Sequence, residues 1–415
     1  MSLKSYFSIH LPNYSLPQLD GLRALAVMVV FWGHAVHIYN VDGSVSLFKA
    51  GPFDLAYWVF GVAFGADLFL MLSGLLITGS LLKHWRPEGD NAPVVKEYAR
   101  NRFLRIFPPY ALMVVLTAMG IFYTPLSNAP VKSIIEHLFF MQDYGANDLN
   151  ISYWAMALEI KFYIAMPVVL FLMHKLNMWR WRYFVMGALL LTPVTLRYFT
   201  PLDLNDYFVI QTEPTNTPFV TLSYLSVFRT PFHLYFDAFA AGGLLAFLWH
   251  DRERLKAFWT GIWPRILMWV GVIGLMVVAA RPPRLTTYLN SPAGGNFIEP
   301  YSPVFLQFGF AFFIMLIYMG VLAGHGPQRF LSSKPLRYLA QISFSFYLVH
   351  WAALKVWEST QLFLYQSVLH MNIDPMTHLP FIMGKIVGGF VLTLLFSLVL
   401  YFAAEKPFMM IKRHK

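Results

Sequence analysis

Ten stretches of this chain are apolar over roughly the 20 residues that an α-helix needs to cross the hydrocarbon core of a bilayer. They lie near 21–39, 57–82, 104–124, 154–173, 183–199, 231–249, 262–280, 304–323, 338–357 and 382–404. Inside hydrocarbon every backbone N–H and C=O must find its partner within the protein, and continuous runs of this length do so as helices. The sequence therefore predicts an all-α integral membrane protein, one bundle of about ten transmembrane helices over residues 1–415 with no fused soluble domain. The fifth stretch is short and contains Pro193. The sixth holds Asp237 and the pair Gly242–Gly243, which marks it for a broken or re-entrant course.

Charge tests that count independently. Only 13% of the residues are charged, about half the share in an ordinary soluble domain, yet the formal net charge is +10. The basic residues do not form the patch interleaved with aromatics that nucleic acid would require. They fall in alternate loops instead. Lys83, Arg86, Lys96, Arg100, Arg102 and Arg105 precede the third stretch. Further groups are Lys175, Arg180 and Arg182; Arg252, Arg254, Lys256 and Arg265; Arg329, Lys334 and Arg337; and Lys406, Lys412, Arg413 and Lys415. The intervening loops hold Asp143, Asp148, Asp203, Asp206, Glu213, Glu299, Glu358 and Asp374. Cytoplasmic loops carry the Lys/Arg excess, so both termini are expected to face the cytoplasm, which requires an even number of crossings. Cysteine is absent, which excludes disulfides, thiolate metal sites and a cysteine nucleophile. No cleavable leader is apparent, so the first apolar run is expected to remain as a helix.

An ionisable side chain deep in a membrane helix costs a few kcal/mol, so each one is a functional candidate. The first stretch opens on Asp20-Gly21-Leu22-Arg23 and carries His34, with His37 on a nearby face. Arg23 and His34 are eleven residues apart. At about 100° and 1.5 Å per residue, that returns them to nearly one helix face, roughly 16 Å apart along the axis. Asp20 is placed to pair with Arg23, and an interfacial ion pair alone accounts for it equally well. Imidazole titrates near neutral pH and is the commonest general base, which favours a chemical role for His34. Asp67 in the second stretch and Glu159 in the fourth fall, with His34, in the outer half of the membrane on this topology. For both, an interior pairing with a neighbouring helix is the plain alternative. Arg102 and Arg105, three residues apart, form a prong suited to phosphate, although positive-inside anchoring is also sufficient. His350, near the outer end of the ninth stretch, reads first as a solvated interfacial histidine.

At these residues the chain resembles the acyltransferase 3 family of multi-pass membrane O-acyltransferases. Leu19-Asp20-Gly21-Leu22-Arg23-Ala24 with His34 matches its arginine–ten residues–histidine signature, and Arg102 with Arg105 its R-x-x-R motif. Gly65 to Gly74, with Asp67 and Ser73, resembles its G-x-D-L-F-x-x-L-S-G segment. Trp154 to Tyr163 resembles W-S-L-x-x-E-x-x-F-Y, and Glu405-Lys406-Pro407 its terminal E-x-P. The motifs run in family order from residue 19 to 407, although Ala155, Met156 and Lys161 stand where serine, leucine and glutamine are usual. The resemblance implies a bacterial inner-membrane enzyme moving an acyl group, usually acetyl, from cytoplasmic acyl-CoA to a glycan hydroxyl. The acceptor would be lipopolysaccharide, another surface or periplasmic polysaccharide, or peptidoglycan. No tightly bound cofactor is implied.

On that resemblance Arg102, Arg105 and Arg23 hold the CoA phosphates, and His34 is the general base. Glu159 or Asp67 orients the imidazole, with Trp154, Tyr163, Ser73, His350, Glu405 and Asp20 in support. Some members carry a fused extracytoplasmic esterase-like domain. This chain is expected to finish the transfer alone or to pass the acyl group to a separate periplasmic partner. The competing class is a proton-coupled secondary transporter or a lipid or glycolipid flippase, which also uses buried His, Asp, Glu and Arg. Such proteins often show internal repeats and paired broken helices, neither of which stands out here.

Overall fold

The computed structural model describes residues 6–7, 9, 11, 16–36, 48–50, 53–60, 64–86, 89–123, 130–144, 149–150, 152–199, 208–212, 218–222, 231–279, 303–375 and 378–411. A helix lies in every apolar stretch read from the sequence. These are α1 (Gln18–Val36), α2 (Gly65–His84), α3 (Ala92–Ala118), α4 (Trp154–Lys175) and α5 (Arg182–Phe199). After them come α6 (Asp237–His250), α7 (Trp263–Ala279), α8 (Pro303–Leu322), α9 (Ser343–Phe363) and α10 (Leu379–Leu400). Among the described residues, α1, α2, α4 and α10 with its continuation to Ile411 are both long and apolar enough to cross a membrane. Three of the others differ for visible reasons. α6 has only 14 residues, α3 begins with a charged half, and α9 includes Lys355 and Glu358.

Several boundaries differ from the sequence reading. The run over 57–82 is divided, with a short helix over Ala56–Phe60 before α2 starts at Gly65. α3 starts at Ala92, with Pro93 in its first turn, so Arg102 and Arg105 stand in mid-helix and do not open it. Lys96 and Arg100 read as loop because they are charged, but both are good helix formers. The ninth run is split at Ile342 into a helix over Lys334–Gln341 and α9. α10 passes through a π-turn over Tyr401–Glu405 into a last helix, Lys406–Ile411. Two short antiparallel strand pairs also occur, Lys49–Ala50 with Phe53–Asp54 and Phe208–Thr212 with Pro218–Leu222. The second lies in a loop where the sequence suggested no regular structure. Its aromatic and β-branched residues suit strands.

Where the helices face outward they are apolar. Leu379, Met383, Val387, Val391, Leu395 and Val399 recur every four residues along α10, and each is more than half exposed. A water-soluble protein does not carry such a stripe, whereas lipid covers it without cost. The opposite face of α10 buries Gly389, Thr393 and Ser397, small side chains that admit α9 closely.

The same device joins α2 to α6. A Cβ at Gly74 would lie 2.3 Å from Phe239 O, and one at Gly242 would lie 2.2 Å from Met71 O. α6 therefore runs unbroken through Gly242–Gly243, and the break expected there is corrected: the irregular turn falls before Asp237, at Phe232–Leu234. Gly242→Ala is expected to cost about 1–3 kcal/mol by overpacking. A fall in the thermal midpoint of the detergent-solubilised protein would show this, and an unchanged midpoint would mean that the two helices part freely.

Candidate functional site

α1 packs on α2 and α9, α2 also meets α4, and α9 reaches α3. Where these five helices converge they enclose a pocket lined by Arg23, Ser73, Arg102, Arg105, Glu159, Tyr163 and Ser343, with Phe69, Leu76, Ile77, Ile106 and Phe344 as its apolar wall. The cationic residues arrive from two helices, Arg23 from α1 and the pair from successive turns of one face of α3. Each arginine is braced. Arg105 Nε lies 3.6 Å from Glu405 Oε1, and Glu405 Oε2 accepts a 2.6 Å hydrogen bond from Ser345 Oγ. Glu405 is wholly buried because the π-turn of 401–405 carries it inward. The Arg102 guanidinium sits over the rings of Tyr98 and Tyr163, at 5.7 and 5.3 Å, a cation–π arrangement that leaves its N–H groups to point elsewhere. Arg23 lies 4.0 Å from Asp20, which also meets Arg337 at 3.4 Å.

Glu159 is held by two hydroxyls. Ser73 Oγ donates to Glu159 Oε1 at 3.1 Å, and Tyr163 donates to the same oxygen from one turn further along α4. The lining itself thus carries three arginines and one carboxylate, Glu159, while Asp20 and Glu405 pair with Arg23 and Arg105 from behind it. Such a cleft suits an anion with planar or tetrahedral oxygens.

A second group of residues lies around His34, further along α1. Its Nδ1 is 2.7 Å from Nε2 of His350, a fully buried residue of α9 whose own Nδ1 donates to Tyr347 O at 2.6 Å. Trp351 sets its ring edge-on to His34, 5.6 Å between centroids. Tyr347 stands 5.6 Å from the His350 ring and stacks on Phe69, 5.9 Å away with planes 6° apart. Since Phe69 also lines the arginine pocket, an aromatic wall connects the two groups.

This arrangement differs from the sequence reading at two points. The hydrogen bond described for His34 goes to a second imidazole, where Glu159 or Asp67 was expected, and Glu159 bonds Ser73 and Tyr163 instead; His350 is buried and not solvated. Asp67 is engaged elsewhere: it is fully buried and accepts from Tyr235 OH at 2.6 Å, and Trp154 packs edge-on to Tyr235 at 5.5 Å. Asp67, Tyr235 and Trp154 thus join α2 and α4 to the turn that precedes α6. His37 lies outside the described residues.

The sequence reading missed Tyr235, Tyr347 and the wholly buried pair Arg197–Asp237, 2.8 Å apart. The available signal was the isolation of Arg197 and Asp237 as lone charges at facing ends of two apolar helices. The family departures have local accounts: Ala155 and Met156 are buried in the core, and Lys161 reaches Asp143 and sits 4.4 Å over the Tyr144 ring. Burial raises the Asp143 carboxyl above the usual carboxylate range even though Lys161 bonds to it.

A family model described as an acyltransferase domain matches residues 16–402. The peptidoglycan O-acetyltransferase OatA of Listeria monocytogenes is 26% identical over 382 residues, covering 86% of this chain and 53% of that protein. The O-acetyltransferase OatA of Staphylococcus aureus is 26% identical over 359 residues, covering 82% of this chain and 50% of its own length. The chain thus spans about half the length of these relatives. No solved structure matches it significantly.

Proposed function

The chain belongs to the acyltransferase 3 family, and on that premise we propose that it transfers an acetyl group from cytoplasmic acetyl-CoA to a hydroxyl of a surface or periplasmic glycan. Peptidoglycan is the first acceptor to test, since a relative of this chain is named for it. The observation that carries the proposal is the convergence of Arg23, Arg102 and Arg105 in one pocket, with Arg23 on the same helix as His34. The proposed topology has ten crossings of the inner membrane and both termini cytoplasmic. The arginine pocket then opens toward the cytoplasm and the histidine pair lies in the outer half.

In this reading the arginines bind the CoA phosphates, and the pantetheine arm runs along the wall formed by Phe69 and Tyr347. The roughly 16 Å between Arg23 and His34 is the length the arm must bridge. His34 takes the proton of the acceptor hydroxyl as its oxygen attacks the thioester carbonyl. When the tetrahedral species collapses the C–S bond breaks, and the proton passes from His34 to the departing thiolate. The products are an O-acetyl ester and free CoA. General base assistance of this kind is worth roughly 10²–10⁴-fold. Glu159, held by Ser73 and Tyr163, fixes the pocket beside the arginines and takes no part in proton transfer.

Radiolabelled acetyl transfer in proteoliposomes tests the reading. The double variant Arg102→Ala, Arg105→Ala is expected to raise KM for acetyl-CoA by roughly tenfold or more, since hydrogen bonds to charged groups are worth about 1.5–3 kcal/mol each. Turnover of acetyl-pantetheine, which has no phosphate, should change little. Equal loss on both donors would put the arginines in another role. Absence of acetyl release by the wild type from any acyl-CoA, with glycan supplied, would sink the enzyme reading.

A further inference from the structure

We propose that His350 is the positioning residue of the His34 base: it accepts the Nδ1 proton of His34 and thereby holds the tautomer whose lone pair is on Nε2. The inference deepens the functional reading and rests on it for the role of His34, but the tautomer itself is a property of the folded protein.

The argument follows the protons. A backbone carbonyl can only accept, so the 2.6 Å contact from His350 Nδ1 to Tyr347 O fixes an N–H on that nitrogen. A neutral imidazole carries one N–H, which makes His350 Nε2 an acceptor. The 2.7 Å contact to His34 then needs its proton from His34 Nδ1, and the lone pair of His34 is left on Nε2. The ring geometry agrees. The planes are 20° apart and the centroids 4.9 Å, close to the N···N distance plus two ring radii. The rings therefore meet edge to edge nearly in one plane, as a hydrogen bond requires, and do not lie face to face. Trp351 and Tyr347 hem the pair in, so neither ring turns over without displacing a packed aromatic. When His34 takes up the acceptor's proton, its Nδ1–H keeps its partner throughout, so no reorganisation is needed in the step.

Nitrogen-15 NMR of histidine-labelled protein in bilayers reads the tautomer directly, with His34 assigned by its loss in a His34→Gln sample. Wild type should show His34 protonated on Nδ1. In His350→Leu, or in His350→Phe where a ring of similar bulk is wanted, His34 should shift toward the Nε2–H form. At the same time kcat should fall by about 10²-fold or more, the consequence of a wrong tautomer in other base-assisted acyl transfers, while KM for acetyl-CoA stays put. His350→Gln offers an amide oxygen as acceptor and should restore both the tautomer and most of kcat. An unchanged His34 tautomer in the leucine and phenylalanine variants, or kcat within threefold of wild type, overturns the proposal. A tautomer that follows residue 350 in a protein that transfers no acetyl group would leave the pairing standing and remove the enzymatic reading instead.

Discussion

Replacing His34 with alanine is expected to leave a folded protein that binds acetyl-CoA normally and transfers acetyl roughly 10²–10⁴-fold more slowly. Folding should survive because His34 is only partly buried, near the end of α1, and alanine is the better helix former. Binding should survive because Arg23 lies about three turns away along α1, and Arg102 and Arg105 stand on α3. The measurement is single-turnover transfer alongside equilibrium binding of acetyl-CoA, with elution profile as the check on folding. A variant that keeps more than about a tenth of the wild-type rate would take His34 out of the chemistry. One that loses binding as well would make His34 part of the donor site.

The second large effect is on stability. Asp237→Ala removes the carboxylate beside Arg197 in a place where neither side chain has any exposure. Removing one partner of a buried ion pair typically costs about 3–5 kcal/mol. The position matters as well. Arg197 ends α5, Asp237 opens α6, and Arg197 also donates to Leu234 O at 2.6 Å, so this pair pins both ends of the long connection between the two helices. The double variant Arg197→Met, Asp237→Leu should recover much of the loss, since apolar side chains of similar volume often match or exceed a buried pair in stability. Thermal unfolding in detergent decides it. If the single and double variants lose equally, the pair contributes as a clamp on the loop and not through charge.

The sequence was informative where the physics is local. Apolar runs located every main helix because hydrocarbon leaves few alternatives for backbone, and the small-residue pair Gly242–Gly243 announced that something special happens in α6. It misled about what that was: a glycine pair permits close packing as readily as a bend, and the choice depends on Met71 and Gly74 of α2, from elsewhere in the chain. The candidate site shows the same division. Arg102 with Arg105, and Arg23 with His34, are legible because helical spacing relates them. That Glu159 belongs beside the arginines, and that Glu405 braces Arg105 from the π-turn after α10, depends on how helices cross, which no local pattern records. The pairing of His34 with His350 lies furthest from reach, since over three hundred residues separate two histidines that each read acceptably alone.

Arg23 and His34 ride on one unbroken helix, and this places a constraint on how the protein can change over evolutionary time. A loop between them could absorb an added or lost residue, but α1 cannot. One residue inserted between positions 23 and 34 turns the imidazole by about 100° and carries it about 1.5 Å along the axis, away from His350. Divergence within this segment is thus confined to exchanges at fixed length. If both residues are to keep roughly their faces, the distance between them along α1 changes only in steps of three or four residues, about 4.5 or 6 Å.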